Sequence, residues 1–287
     1  NNKPVKVPVE VVFHQPGAKG KVHLEVPDGW TVSPTETEVE AGKISRQTVE
    51  FTVTPPSHQS EGQIKPSIEI DQKIYNWESV TINYSHIPKQ TLLVPAEAKA
   101  ASINIQKVGT KIAYFQGAGD DVPKALRQIG YEVTEIDRTD INANELAKFD
   151  ALVLGIRAYN VWEDFDAEQI QIEEYIKNGG RVIVQYNTTG GLKSPRFSPF
   201  PLSLSRDRVT DENSPVRFLA PQHPVLNVPN KITPDDFTGW VQERGLYFPD
   251  SWDSAFTPIL GLQDPGEKEL QGGLLVAPYG KGYYIYT

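Results

Sequence analysis

Residues 5 to 84 alternate apolar and polar positions with a period of two through VKVPVEVVF, GKVHLEV, SRQTVEFTV, IKPSIEI and IYNWESVTINY. β-Branched and aromatic residues fill the apolar sites, which is the composition of pleated, half-buried strands. Turn signals separate the runs at Gln15-Pro16-Gly17, Pro27-Asp28-Gly29, Ala41-Gly42-Lys43 and Thr54-Pro55-Pro56. Short strands with regular turn punctuation predict an antiparallel β-sandwich. Val49, Phe51 and Val53 fall on one side of a strand and mark its core face, and Trp30 in PDGWTVSP is the expected plug of that core.

The pattern changes after residue 110. Residues 111–115 and 151–156 are short apolar runs bounded by Gly and Asp, as expected of parallel strands buried on both faces. Between them Val122, Ala125, Leu126 and Ile129 stand at helical spacing, and Gly130 sits where a C-terminal cap glycine belongs. A second helix over 167–177 carries Ile170, Ile172 and Ile176, ends at Asn178-Gly179-Gly180 and feeds a strand over 181–186. Right-handed crossovers place both helices against a parallel sheet. Residues 86–109 read as a tethered, partly extended connection ending in a strand. The expected layout is a sandwich at 1–86, a linker with an edge strand at 87–109 and a parallel α/β domain at 110–287.

Composition narrows the function classes. The 287 residues and 38% hydrophobic content suit two domains with real cores. No run of 18 apolar residues exists to span a membrane. A net charge of -9 argues against a nucleic-acid surface, which needs clustered Lys and Arg. Zero cysteines remove disulfides, thiolate metal sites and a cysteine nucleophile, and are compatible with an oxidising compartment or the cytosol. Methionine is absent even at position 1, so the chain is expected to be a fragment or a processed product.

VPDGWTVSPTETEVEAGKISRQTVEFTVTPP resembles the immunoglobulin-like, NEW3-type modules appended to bacterial carbohydrate-active enzymes, where a GW-V-P segment precedes a strand ending in F-V-P. That resemblance implies a spacer or interaction module. From residue 111 the series GAGDDVPKALRQIGYEV, FDALVLGIRAYN, YIKNGGRVIVQYNT, FPLSLSRDRVTDENSPVRFLAPQHPVLN, FTGWVQERGLYFP and GGLLVAPYGKGYYIYT is similar to the C-terminal region of large PIG-L (LmbE-type) sugar de-N-acetylases of Bacteroidetes. It implies a class I glutamine amidotransferase-like, flavodoxin-like domain that stops short of its usual C-terminus, in a periplasmic or secreted protein. The implied partners are carbohydrate or an upstream catalytic domain, and no cofactor is implied.

The family's chemistry is not visible in these residues. The His-Pro-Asp-Asp-type motif of the zinc deacetylase is missing, and Pro234-Asp235-Asp236 reads as a helix-start or turn cluster. Amidotransfer needs a cysteine on a strained turn after a buried strand, whereas the end of the 181–186 strand offers Gln185, Tyr186, Asn187 and Thr188. Thr188 or Thr189 could attack in principle, but no Gly-x-Ser-x-Gly elbow accompanies them. The expectation is an inactive amidotransferase-like site.

In open parallel sheets ligands lie beyond the carboxyl ends of the strands. Three loops fall there: 117–121, 157–160 and 185–188. Gly117 and Gly119 would let backbone N–H groups approach an oxyanion, although Asp120 and Asp121 repel phosphate and suit helix capping. Arg157, flanked by Tyr159 and Asn160, would grip a carboxylate or sugar hydroxyls while the ring stacks on a pyranose, or else would pair with Asp120 or Asp121 to brace the loops. Gln185 and Asn187 complete that edge.

His223, in PQHPVLNVPNKIT, also resembles the His-Pro segment of trehalose-utilisation (ThuA-like) proteins; it is a candidate base or ligand, with backbone hydrogen bonding as the alternative. Arg206 and Glu243 add charge among Trp240, Tyr247, Phe248 and Trp252, and Glu243 with Asp207 would suit acid–base hydrolysis at a separation of about 5 to 9.5 Å. Two readings follow. One is a non-catalytic accessory region that binds glycan or a catalytic partner. The other is a ThuA-like sugar-modifying enzyme using Arg157, Asn187 and His223, which requires those three to converge on one cleft.

Overall fold

The computed structural model of the chain describes residues 3–42 and 46–287; Lys43 of the Ala41-Gly42-Lys43 turn lies outside them. The chain forms two compact units, Asn1–Ile105 and Gln106–Thr287. The first is β-rich and the second mixes helices with a large sheet.

In the first unit the strands are β1 (Val5–Val12), β2 (Lys19–Glu25), β3 (Thr31–Ser33), β4 (Glu36–Glu40), β5 (Arg46–Thr54), β6 (Ser60–Ile70), β7 (Lys73–Tyr75), β8 (Trp77–Ile82), β9 (Gln90–Pro95) and β10 (Ala98–Ser102). They pair antiparallel as β1-β5-β3 and as β10-β6-β2-β4, with β7 on β6 and β8 on β9. Alternate residues of the first two sheets, Val9, Val11, Phe51 and Val53 against Val22, Leu24, Val39 and Ile64, share one apolar core. Burying that surface from both sides holds the layers together.

Two expectations change here. Phe51, with 0% of its surface exposed, is the centre of this core, whereas Trp30 is half-buried at its edge and donates its indole N–H to Ser60 Oγ. The stretch read as a linker is largely paired: β9 lies against β8, and β10 extends the β6 sheet with Ala100 in the core. Alternation is weak in AKAAS because small residues carry little hydrophobic signal, yet they let β10 pack closely.

In the second unit the strands are β11 (Lys111–Phe115), β12 (Glu132–Ile136), β13 (Ala151–Leu154), β14 (Arg181–Val184), β15 (Leu202–Leu204), β16 (Arg208–Val209), β17 (Arg217–Phe218), β18 (Gly245–Leu246), β19 (Pro249–Trp252), β20 (Thr257–Leu262), β21 (Leu270–Tyr279) and β22 (Gly282–Tyr286). The helices are α1 (Val122–Gln128), α2 (Ala143–Leu146), α3 (Ala158–Val161) and α4 (Asp166–Lys177). One eight-stranded sheet runs β12-β11-β13-β14-β22-β21-β20-β17. Its first five members are parallel, and the β21 hairpin reverses direction into an antiparallel flank. The order of the parallel strands reverses between β11 and β13.

Strand alternation sorts side chains to the two faces. Ala113, Phe115, Leu152, Leu154, Val182 and Val184 pack under α4 through Ile172, Tyr175 and Ile176. Ile112, Tyr114, Val153 and Ile183 meet Val122 and Leu126 of α1 on the other face. Ile170, placed by periodicity on the buried stripe of α4, is exposed. Gln169 and Glu173 are buried instead, because Gln169 accepts from Tyr159 Oη at 2.7 Å and Glu173 binds Arg196 at 2.6 Å. A polar chain of this kind is tolerated inside because its members satisfy one another.

Candidate functional site

At the point where the strand order reverses the loops after β11 and β13 touch: a Cβ at Gly117 would stand 2.0 Å from Ile156 O, so glycine is required there. Ala118 N–H donates to Ile156 O at 2.8 Å. Asp120 closes the same joint. Its Oδ2 accepts from Tyr114 Oη at 2.5 Å and from Ile156 N–H at 3.2 Å, and its Oδ1 accepts from Val122 N–H at 2.9 Å at the start of α1. Burial and the Asp120 hydrogen bond hold the Tyr114 phenol well above the ordinary tyrosine range. Gly119, with φ 108°, supplies the turn. Asp120 thus takes the helix-capping role that was the alternative to ligand binding, and Gly117 lets the two loops meet.

The second loop is a strained elbow. Arg157 has φ 58° and ψ 26°, and its N–H donates to Tyr186 O at 2.8 Å. Left-handed backbone is unfavourable for a residue with a Cβ, so tertiary contacts must hold it. The strained turn expected at 185–188 is therefore found at Arg157: among the described residues, the non-glycine positions with left-handed backbone are Asp71, Gln72, Arg157, Asp164, Gln242 and Tyr247. The Arg157 side chain is exposed, while Tyr159 and Asn160, expected to work beside it, are buried.

Tyr159 is fully buried, with its hydroxyl on Gln169 and its phenol pushed up by burial. Asn160 clips Thr188 at both ends, Oδ1 accepting from Thr188 N–H and Nδ2 donating to Thr188 O, each at 2.9 Å. Asn187 is also fully buried. Its Oδ1 accepts from Tyr159 N–H, its Nδ2 donates to Gln185 O, and its own N–H donates to Tyr286 Oη. Stacking of a sugar on Tyr159 and ligand bonds to Asn160 or Asn187 are thus excluded, because their polar atoms are spent on the loop. Thr188 Oγ1 donates to Gly190 O.

His223 caps a short 3-10 turn, Pro224–Leu226, by accepting from Val225 N–H at 3.2 Å through Nδ1. Leu226 of that turn packs on Ile259 and Val276, so the histidine belongs to the antiparallel flank. Of Arg157, Asn187 and His223, Asn187 has its side-chain amide bonded inside the protein, to Tyr159 N–H and Gln185 O. Pro234–Phe237 is a 3-10 turn in which Asp236 accepts from Thr233 N–H at 2.7 Å, a capping role. Arg206 is an exposed residue at the tip of the turn 205–207. Asp207 is exposed, so no enclosed carboxylate pair forms with Glu243.

A different cleft stands at the carboxyl ends of β14 and β22. It encloses about 370 Å³ and is lined by Gln185, Tyr186, the segment 243–249, Gly272, Gly273, Tyr286 and Thr287. The parallel register Val184↔Tyr286 brings the two strand ends level, and Thr287 N–H donates to Val184 O at 3.0 Å. Across them lies a kinked ribbon. β15 pairs with β19 and β16 with β18, and between these ladders Ser205 N–H and Oγ both donate to Phe248 O while Phe248 N–H donates to Asp207 O. Tyr247, with φ 52°, sits at the break. Irregularities of this kind re-aim a side chain, and here the ring of Tyr247 lies parallel to that of Tyr186, 3° between planes and 6.4 Å between centroids. Gly272 permits the close approach: a Cβ there would be 2.6 Å from Pro249 O.

Glu243 enters the cleft beyond a second left-handed residue, Gln242, whose N–H donates to Glu212 Oε2 at 2.7 Å. Arg244, also in the lining, donates to Ser214 O and Phe237 O and lies over Trp240. Glu243 makes no hydrogen bond or ion pair with another side chain among the described residues, so its carboxylate is free for a ligand. Of the residues read as a site, Gln185 and Glu243 come together. Tyr186, Tyr247 and Thr287 were missed as site residues; the signals were an aromatic directly after a buried strand and the crowded Gly245-Leu246-Tyr247-Phe248 turn. A second open cavity, about 570 Å³, follows residues 195–203. No group of three or more metal-ligating side chains is found among the described residues, and no helix there is long and apolar enough to cross a membrane.

No protein-family model matches the chain, and no curated protein matches it. Solved structures similar to it include a cytoplasmic protein of Salmonella typhimurium at 13% identity, covering 74% of this chain and 83% of that one with a TM-score of 0.40. A ThuA-like protein from Bacteroides uniformis is 15% identical over 64% of this chain and 83% of its own, with a TM-score of 0.36. A GMP synthase component from Thermoplasma acidophilum is 16% identical over 62% of this chain and 83% of its own, with a TM-score of 0.39.

Proposed function

We propose that the second unit is a non-catalytic carbohydrate-binding module whose site is the strand-end cleft of Tyr186 and Tyr247. The parallel tyrosine rings carry this reading. Aromatic faces accept the C–H patches of pyranoses, and Gln185, Glu243 and Thr287 around them offer hydroxyl partners. Thr188 Oγ1 donates to Gly190 O and His223 Nδ1 accepts from Val225 N–H, structural roles for both groups. The order of the five parallel strands, 2-1-3-4-5 within the unit, is that of flavodoxin-like folds, which supports an amidotransferase-like ancestry. In this reading the chain is an accessory region of an exported sugar de-N-acetylase, and the β-rich unit is its immunoglobulin-like spacer. Glycan-array screening of the whole chain followed by calorimetry tests it. Binding that falls at least tenfold in both Tyr186→Ala and Tyr247→Ala is expected; no glycan bound, or binding untouched by both substitutions, overturns it.

A further inference from the structure

We infer that the cleft selects sugars that carry a protonated amine. The inference rests on the carbohydrate-binding reading and names its ligand class. Three features of the same cavity point to a cation. Glu243 lines it, and the Glu243 carboxylate makes no hydrogen bond or ion pair with another side chain among the described residues. Arg244, which also lines the cleft, donates through its guanidinium to Ser214 O and Phe237 O and lies over the Trp240 face, and it forms no ion pair with Glu243 among the described residues. Tyr186 and Tyr247, with parallel rings, line the same cleft, and the electron-rich face of tyrosine attracts cations within about 6 Å of its centre.

The competing choice, an anionic sugar gripped by Arg157, is weaker. Arg157 touches Tyr186 only through the backbone, N–H to O, and does not line the cavity. An anion in the cleft would face the unpaired Glu243 carboxylate, while the guanidinium of Arg244, the other charged residue of the lining, already has Nε and Nη1 on two carbonyl oxygens. The net charge of -9 further raises the local concentration of cationic ligands. A pyranose stacked on the tyrosines would bring an equatorial amine to the Glu243 side, where an ammonium–carboxylate hydrogen bond adds to ring stacking.

The experiment compares two trisaccharides that differ in the amine, a β-1,4 glucosamine trimer and cellotriose, by calorimetry on the whole chain at pH 6 and low salt. Tighter binding of the amino trimer by about tenfold is expected, as for one charge-assisted hydrogen bond in a partly exposed site. Glu243→Gln, which preserves size, abolishes the preference for the amino trimer over cellotriose; added salt narrows the preference in the native chain only. Equal affinity for the two trimers, or a preference that survives in Glu243→Gln, overturns the inference and spares carbohydrate binding. Failure of both trimers and of every arrayed glycan removes the carbohydrate reading and the inference with it.

Discussion

The ring of Tyr186 lies 3° from parallel with that of Tyr247 at 6.4 Å between centroids, although 61 positions separate them in the chain (247 minus 186). Two backbone facts produce this. Tyr186 follows a buried parallel strand whose register is set by β22, and Tyr247 occupies a left-handed position at a break in a two-stranded ribbon.

That left-handed position gives a direct expectation. Tyr247→Gly and Tyr247→Ala both remove the ring, but glycine accepts φ 52° without a Cβ clash. The glycine variant should be more stable than the alanine variant by about 1 kcal/mol, read from denaturant midpoints, while both lose the ligand. An alanine variant as stable as the glycine one would show that the position is not strained.

Asn187 separates structural from binding roles. Its three polar groups are all bonded inside the protein, so Asn187→Ala leaves Tyr159 N–H and other buried groups unpaired. A loss of about 2 to 4 kcal/mol in unfolding free energy is expected, against less than about 0.5 kcal/mol for Glu243→Gln. Comparable losses in the two variants would contradict the division drawn between a clasp and a cleft.

Gly117→Ala should be costly for steric reasons. With Ile156 O only 2.0 Å from the new methyl group, the loops after β11 and β13 must part, and Asp120 loses Ile156 N–H as they do. Thermal unfolding should register a loss of about 2 kcal/mol or more. The neighbouring substitution Gly119→Ala meets only Gln116 Nε2 at 3.6 Å, an ordinary contact, but a φ of 108°, so its cost comes from the backbone.

Stability should fall on the alkaline side. Burial raises the phenols of Tyr114, Tyr159, Tyr175, Tyr284 and Tyr286 above their ordinary value. A raised acid keeps its proton in the folded protein after the unfolded chain has released it. The unfolded state then binds fewer protons, and stability declines as pH rises past about 10, by about 1.4 kcal/mol per pH unit for each tyrosine still protonated. Chemical unfolding at pH 9 and above, with phenolate absorbance followed in parallel, measures this. Tyrosines that ionise before unfolding begins would refute it.

Much of the architecture was legible because it is local. Period-two runs located the strands of the first unit, and the segments over 111–115, 122–128 and 166–177 follow from burial periodicity and glycine caps. The site was not legible in the same way. Tyr159, Asn160 and Asn187 were read as ligands because they follow buried strands, but a residue after a strand can turn outward or close the loop beneath it. Which one it does depends on partners far along the chain, such as Tyr286 for Asn187.

The amino-acid sequence by itself determined the β-rich and α/β regions, the sheet's parallel core, the negative charge and the absence of thiol chemistry. Each depends on composition or on neighbours within a few residues. Only the tertiary structure decided that the loops after β11 and β13 meet at Gly117 and Asp120, that His223 stands on the antiparallel flank, and that the open cleft forms beside Tyr186, Glu243 and Tyr247. Those outcomes are set by long-range register and by the left-handed turns at Arg157, Gln242 and Tyr247, whose strain is held by contacts that no local pattern encodes.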